Sequence, residues 1–344
     1  YLEAFLAKPE LIKFYPEVIC TGIIEPLHLN KLLGLIKNGQ LSPLSAIGLS
    51  YGGVINHLST TDISNFCHEL AKVDSTGNWV ALDIMFMYCF GDDNKFYAAK
   101  DTLKKLVTSV PLNNKSRGGH SDMYHWKEII GKLSKTEGVE FAKDVCQQII
   151  VAADDKLDIG DIWDSIKPVL IEIMSCYGKE LWPLFGNAIV LAEPVKRYWL
   201  QNLFDRENSF SISRVSVFST LPSELVIVWC KEHPDIAPYF VARAINIFEL
   251  KDDGSKQPTN LFISLLENFG DLDSLGGELS ANLDTRGWSG SLVPYLESDK
   301  SALTPLLEYS NHHVRNWVRN YIAYLDKVIA YESNRDEEQD LGIY

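Results

Sequence analysis

The chain has 344 residues, 46% of them hydrophobic and 23% charged. This is the balance of a folded protein, long enough for two domains or one elongated repeat body, and it excludes wholesale disorder. Its 32 Lys and Arg against 46 Asp and Glu leave a net charge of -14, the wrong sign for a general binder of phosphate backbones. No apolar run approaches the roughly 18 residues of a membrane span. The chain opens on Tyr1 without a signal-peptide pattern and reads as a piece of something longer.

Helical periodicity recurs from end to end. Over 59–73, Ile63, Phe66, Cys67 and Leu70 share one stripe; Ser59 is the N-cap, Asp62 lies in the first turn and Leu58 can staple onto Ile63. Asn78 introduces 79–90, apolar nearly all round and therefore expected to be buried on several sides. A third helix over 95–110 turns Phe96, Ala99, Leu103, Leu106 and Val110 inward, and Pro111 stops it. After a polar loop over 113–120 come Trp126, Ile129, Ile130 and Leu133, then, beyond Gly138, Ala142, Val145, Cys146, Ile149 and Ile150. Asp158 caps a further helix, Pro168 predicts a kink or break in it, and Gly178 reads as its stop.

The second half continues alike. Shorter helices are expected over 181–191, 195–204, 224–232 and 236–249, and 212–221 is the single β-like stretch. The charged segment 251–258, with Gly254 and Pro258, reads as a linker. Helices over 259–269 and 272–283 precede a Gly-containing loop over 284–291. A final pair covers 301–309 and then, capped by Asn311, a long helix through Glu332 with Val314, Trp317, Val318, Tyr321, Ile322, Leu325, Val328 and Ile329 inward.

Helices too short to bury an apolar face alone need antiparallel neighbours, so the fold class predicted is all-α. Stacked helical hairpins forming an irregular α-solenoid are the arrangement expected, with a compact irregular helical domain as the alternative. The organisation expected is a helical repeat region over 1–250, C-terminal repeats over 251–333 and an acidic tail over 334–344. Six cysteines without a C-x-x-C pair fit buried, reduced thiols of a cytoplasmic protein, not disulfides or zinc.

Several motifs carry two readings. Gly48-Leu49-Ser50-Tyr51-Gly52 matches the G-x-S-x-G nucleophile elbow, which works only on a strained strand-to-helix turn. With Pro43 upstream and no parallel-sheet pattern, the reading favoured is an interhelical turn, and a cryptic hydrolase using Ser50 is the rival. His120, Asp122 and His125 have ligand chemistry for zinc or iron, yet a capped helix start accounts for Asp122. A metal enzyme is therefore the weaker reading. Lys100, Lys104, Lys105, Lys115 and Arg117 form the most basic cluster, diluted by Asp92, Asp93 and Asp101, so nucleic acid is not the partner expected. His312 and His313 stand at a helix start, where a charged imidazole is disfavoured. Aromatic and basic residues in or beside Gly-containing loops are the best binding candidates: Arg117, His120 and Tyr124 in one loop, Arg286 and Trp288 in the other. No catalytic residue, metal ligand or cofactor is assigned; no P-loop, dinucleotide fingerprint or H-E-x-x-H occurs.

Asn311-His312-His313-Val314-Arg315-Asn316-Trp317, leading into Tyr321-Ile322 and Leu325, resembles the second helix of a HEAT-type repeat, with Trp317 where that family has a smaller residue. Tyr51-Gly52, Trp79-Val80-Ala81-Leu82-Asp83, Leu181-Trp182-Pro183-Leu184-Phe185-Gly186, Phe269-Gly270-Asp271, Gly287-Trp288-Ser289-Gly290-Ser291 and Arg335-Asp336-Glu337-Glu338 together resemble the helical C-terminal regions of large bacterial anti-phage defence proteins. That resemblance implies a non-catalytic sensor or scaffold whose partner is a protein, either a phage protein or an attached effector or NTPase module. A helical adaptor with no immune role is the alternative.

Overall fold

A computed structural model of the chain describes residues 7–112, 121–153, 160–204, 215–285 and 287–341. It is all-α apart from one small hairpin, and its packing divides it into two units, Tyr1–Glu172 and Ile173–Tyr344. Residue 251 lies inside the second unit. No helix among the described residues is long and apolar enough to cross a membrane.

The first unit contains α1 (Tyr15–Cys20), α2 (Pro26–Lys37), α3 (Thr60–Ala71), α4 (Ser75–Cys89), α5 (Asp93–Ala98), α6 (Lys100–Ser109) and α7 (Ser121–Ala152). The expected cap of α3 is present: the Asp62 amide donates to the Ser59 hydroxyl over 3.1 Å. Asp74, not Asn78, caps α4, accepting the Gly77 amide at 2.7 Å. α3 and α4 form an antiparallel hairpin, closed where Gly77 meets the Leu70 carbonyl and tied at its open end by the Tyr88 hydroxyl, which donates to the Leu58 carbonyl at 2.8 Å. α4 is the central rod of the unit, buried continuously from Gly77 to Met85. Its polar positions are satisfied by neighbours, Asn78 donating to Ser109 at 3.2 Å and the Trp79 indole to the Pro111 carbonyl at 3.2 Å. The single helix expected over 95–110 is two, α5 and α6, divided at Ala99. As expected, Gly138 breaks α7, with a positive φ of 72° that a glycine adopts without steric cost.

Helix α8 (Gly160–Leu191) is helical through Pro168, contrary to the kink expected there, and breaks instead at Tyr177. Next to the break, Gly178 leaves room for Leu221, whose Cδ2 would lie 2.7 Å from a Cβ at that position. Asp158 lies outside the described residues. The second unit continues with α9 (Pro194–Phe204), α10 (Ser223–Glu232) and α11 (Ala237–Ala244), and Trp182, Phe185, Phe204, Phe218, Trp229 and Phe240 interlock among them with ring centroids 4.9 to 6.2 Å apart. The stretch expected to be β-like is, in its described part, a 3₁₀ turn over Val217–Thr220.

Strands do occur where a linker is expected. β1 (Phe248–Leu250) pairs antiparallel with β2 (Lys256–Pro258), Glu249 opposite Gln257. The Lys251 amide donates to the Ser255 carbonyl at 2.8 Å and the Gly254 amide to Lys251 at 2.9 Å, with Gly254 at φ 79°: a three-residue hairpin turn that ends on a glycine. Lys256 then reaches α14 (Val293–Leu303), its Nζ 2.6 Å from the fully buried Asp299 carboxylate. α12 (Asn260–Phe269) and α13 (Leu275–Asp284) come between, and α15 (His312–Asp340) ends the chain. α14 starts eight residues before the helix expected over 301–309, which is a 3₁₀ turn over Thr304–Glu308.

Asn311 caps α15 by accepting the His313 and Val314 amides, as expected. Only Val314, Val318, Tyr321 and Leu325 of its stripe are buried; Ile322, Val328 and Ile329 are half-exposed. The helix runs past Glu332 to Asp340 through the acidic segment that begins at residue 334. Glu332 is buried against Arg335 at 2.6 Å, and the Ser291 hydroxyl donates to Asp336 at 2.5 Å.

Candidate functional site

Of the binding residues singled out from sequence, Arg117, His120 and Arg286 lie outside the described residues. Tyr124 and Trp288 are both exposed, at 53% and 41%. Around Tyr124 the first unit builds a tight cluster. His125 packs its ring on Phe86, centroids 4.1 Å apart, and Tyr124 sets its edge against the same Phe86 at 6.2 Å. His125 Nδ1 hydrogen-bonds the buried Asp83 carboxylate of α4. A carboxylate only accepts, so Nδ1 carries the proton, and Nε2 is left with the lone pair in the neutral ring. One nitrogen of His125 is therefore already committed. The side chain of Asp122, its partner in the metal reading, lies outside the described residues, and no group of three His, Cys, Asp or Glu that could hold an ion occurs among those described.

Ser50 does not stand on a nucleophile elbow. It ends a 3₁₀ segment, Pro43–Ser50, and no strand leads into it. Its hydroxyl is buried without a hydrogen-bond partner among the described residues. Two lysines of the basic cluster are engaged: Lys100 and Lys104 of α6 bracket Glu137 of α7 at 3.0 and 3.3 Å, and the two ammonium groups hold its carboxyl below the usual carboxylate range. Cys67, Cys89, Cys146 and Cys230 are free and buried, and burial pushes their thiols up, to about 12 for Cys89 and Cys146. Burial of this kind makes a thiol a poor nucleophile.

The most complete recognition geometry lies in the second unit, between α13 and α15. There a groove of about 350 Å³ has one wall of small residues, Gly276, Gly277 and Ser280, and one of aromatic rings, Trp317, Tyr321 and Tyr324. Gly276 permits a close approach: a Cβ there would sit 3.0 Å from Trp317 Cδ1, and its carbonyl accepts the Trp317 indole N–H at 3.0 Å. Trp317 and Tyr321 stack at 4.9 Å with 12° between their planes, Phe262 of α12 supporting Trp317 edge-on at 5.2 Å. At the far end the carboxylate of Asp284 accepts both tyrosine hydroxyls, Tyr321 at 3.4 Å and Tyr324 at 3.2 Å. The ring wall is graded, with Tyr321 buried, Trp317 half-exposed and Tyr324 43% exposed. The exposed Trp288 follows Asp284 by four residues. Trp317, read from sequence as an inward residue where a smaller one is usual, is half-exposed in the ring wall of the groove.

A second groove of the same size in this unit is lined by Arg197, Tyr198, Tyr239 and Arg243, but both its cations are spent. Arg197 donates to the carbonyls of Ile189, Val190 and Ala192, and Arg243 forms a two-pronged pair with Glu278. Sequence reasoning missed Asp83 and the α13 wall, whose partners stand about forty positions away in the chain; the Gly276-Gly277 pair was the one available signal.

Comparison with protein-family models, with curated proteins and with solved structures finds no match for this chain.

Proposed function

We propose that the chain is a non-catalytic protein-recognition region and that the groove between α13 and α15 docks an extended segment of a partner protein. The observation that carries this reading is the groove itself: an open wall of tryptophan and tyrosine facing small residues, with a carboxylate at one end. Aromatic rings on a rigid helix give large contact area with little side-chain entropy to lose, which is why such residues dominate interface energies. The stacked HEAT-like arrangement, the sensor or scaffold role and the place in a larger bacterial defence protein belong to the same proposal, supported by the motif resemblances in the sequence. In that setting docking biases one state of an attached effector, since a partner shifts an equilibrium only by binding its two states unequally. The buried reduced thiols fit a cytoplasmic setting.

The Asp83–His125 pair favours a second reading, because a carboxylate that orients an imidazole is half of a general-base arrangement. No serine, threonine or cysteine among the described residues bonds to His125, and the pair accounts for a buried carboxylate without any catalytic role.

Gly277 supplies the test. It is exposed on the groove wall with nothing within 4 Å of a Cβ, so Gly277→Trp brings a bulky side chain to the groove from a position where the added Cβ meets no neighbour. A photo-crosslinking side chain in place of Tyr324, with Val195 as the control position, identifies the partner, and calorimetry measures its affinity. Gly277→Trp should weaken that affinity by at least about tenfold, the loss of one interface hot spot. A partner that binds the plugged variant as tightly as the parent protein disproves docking in this groove.

A further inference from the structure

We propose that the outer edge of β1 docks an extended segment of a partner protein, which joins the hairpin as a third, antiparallel strand and carries a lysine or arginine between two apolar residues. The edge shares no residue with the groove between α13 and α15. The register of the hairpin decides which backbone groups are open. The Lys251 amide donates to the Ser255 carbonyl at 2.8 Å and the Thr259 amide to the Ile247 carbonyl at 2.9 Å, so residues 247, 249 and 251 turn their backbone groups toward β2. Phe248 and Leu250 alternate with them and turn theirs the other way. No described residue bonds the N–H or C=O of either, which leaves two donors and two acceptors in a row along one edge. The strand is also exposed there: Glu249 and Leu250 are open to solvent, Leu250 at 50%, and Phe248 is half-buried. The outer edge of β2 differs, because Pro258 has no N–H to offer and Lys256 is drawn onto Asp299 of α14.

Side chains alternate across the hairpin, and the alternation specifies the occupant. Phe248, Leu250 and Lys256 share one face, the Lys256 ammonium lying 5.7 Å from the Phe248 ring centre while it pairs with Asp299. Glu249 and Gln257 share the other, Gln257 donating to the Glu249 carboxylate at 2.6 Å. A strand added to β1 exchanges four hydrogen bonds with Phe248 and Leu250 and sets its middle residue directly across from Glu249, in the closer, non-hydrogen-bonded kind of pair. A cation at that position meets a carboxylate, and the apolar residues beside it cover Leu250 and Phe248. The surroundings have the matching sign. Lys251 lies on the face of Glu249, but Asp252 and Asp253 follow it in the turn, and the Ser255 hydroxyl and the Lys251 ammonium hold the Asp253 carboxyl below its usual value. The unit carries 24 Asp and Glu against 15 Lys and Arg over 173–344, a net charge of -9 that draws in a basic segment. A second copy of the chain fits the same edge badly. Two β1 strands paired about a two-fold axis would oppose Glu249 to Glu249 at about 4.5 Å between Cα atoms, and would bring one acidic unit against another.

The test uses the full chain labelled with ¹⁵N-leucine and ¹⁵N-phenylalanine, in which the Leu250 and Phe248 amides are assigned from Leu250→Met and Phe248→Tyr. The probe is the blocked peptide Ser-Thr-Val-Lys-Val-Thr-Ser, compared with its counterpart that has glutamate in place of lysine. At millimolar concentration and moderate salt the lysine peptide should shift both amide signals saturably and slow their exchange with solvent. It should bind about two- to fivefold more tightly than the glutamate peptide, the scale of one cross-strand charge pair, and Glu249→Lys should reverse that order. N-methylation of either valine removes an amide that donates to β1 and should weaken binding about two- to tenfold, whereas N-methylation of the lysine, whose amide points away, should leave it nearly unchanged. Silence of both amides, equal affinity for the two peptides, or weakening by N-methylation at the lysine and not at the valines would each overturn the proposal. A dimer in sedimentation equilibrium that the lysine peptide dissociates would overturn it too, giving the edge to a second copy.

Discussion

Two helical glycines that look alike in the sequence should respond in opposite directions to one added methyl group. Gly77 sits in the first turn of α4, where an added Cβ would lie 2.4 Å from the Leu70 carbonyl oxygen and 3.3 Å from its carbon. Both are backbone atoms at the end of α3, so no side chain can swing aside. The two helices of the hairpin must part by most of an ångström, and the Asp74 cap on the Gly77 amide is strained with them. Overpacking of this kind costs about 1–3 kcal/mol, against which alanine returns at most about 1 kcal/mol of helix propensity. Gly77→Ala should therefore destabilise by about 1–2 kcal/mol, lowering Tm by about 2–8 °C in a unit of this size. At Gly277 nothing lies within 4 Å of the added atom, so only the propensity gain remains. Gly277→Ala should stabilise by about 0.5–1 kcal/mol and raise Tm by about 1–4 °C. Calorimetric scans of the two variants decide the matter. A Gly77→Ala protein as stable as the parent would mean that α3 and α4 do not close on each other as described.

Lys256→Met leaves the fully buried Asp299 without its ammonium partner and should cost about 2–4 kcal/mol by urea unfolding, most of it regained in Lys256→Met/Asp299→Leu; equal loss in both would make the hairpin contact, not the charge, responsible. His125→Ala strips the hydrogen bond from buried Asp83 and should cost about 1–3 kcal/mol, with Asp83→Asn largely tolerated beside the intact histidine, as thermal melts would record. Glu69, bridged by Lys37 and Lys72 at 2.5 and 2.6 Å, is held at about 2, below the ordinary carboxylate value. A lowered folded value means that the link between α2 and α3 contributes fully above about pH 4.5 and is lost as pH falls through 2. The ¹³C signal of the Glu69 carboxyl should accordingly titrate near 2, and a midpoint at 4 or above contradicts the bridge.

The buried stripes were legible because period alone decides which side of a rod faces inward. Ile63, Phe66, Cys67 and Leu70 are buried as read, and the all-round apolar stretch after Asn78 is the central rod of its unit. Local capping chemistry was equally readable at Ser59 and Asn311. What escaped depends on partners distant in the chain. Phe248–Leu250 and Lys256–Pro258 are too short to alternate, and Asp252-Asp253-Gly254 between them has the composition of a linker as much as of a turn. Ile322 and Ile329 obey the helical stripe yet are half-exposed, because the neighbours of α15 cover a narrower face than its apolar residues span. Of the candidate loop over 284–291, sequence singled out Trp288 as a binding candidate, and its side chain is exposed. The groove wall beside it needed Gly276 and Trp317 to meet across 41 positions.

The continuity of α15 has a mechanical consequence. Its first turns hold α12 and α13 through Gly270, Phe262 and Gly276, its middle holds α14 through Asp326, and its last turns clasp Ser291 through Asp336. In a chain of self-similar modules each contacts only its neighbours, and the outermost can peel away alone. Here a single strut serves every layer from Asn260 onward, so the layers should let go in one concerted event, with amide exchange equally slow in α12 and in the middle of α15.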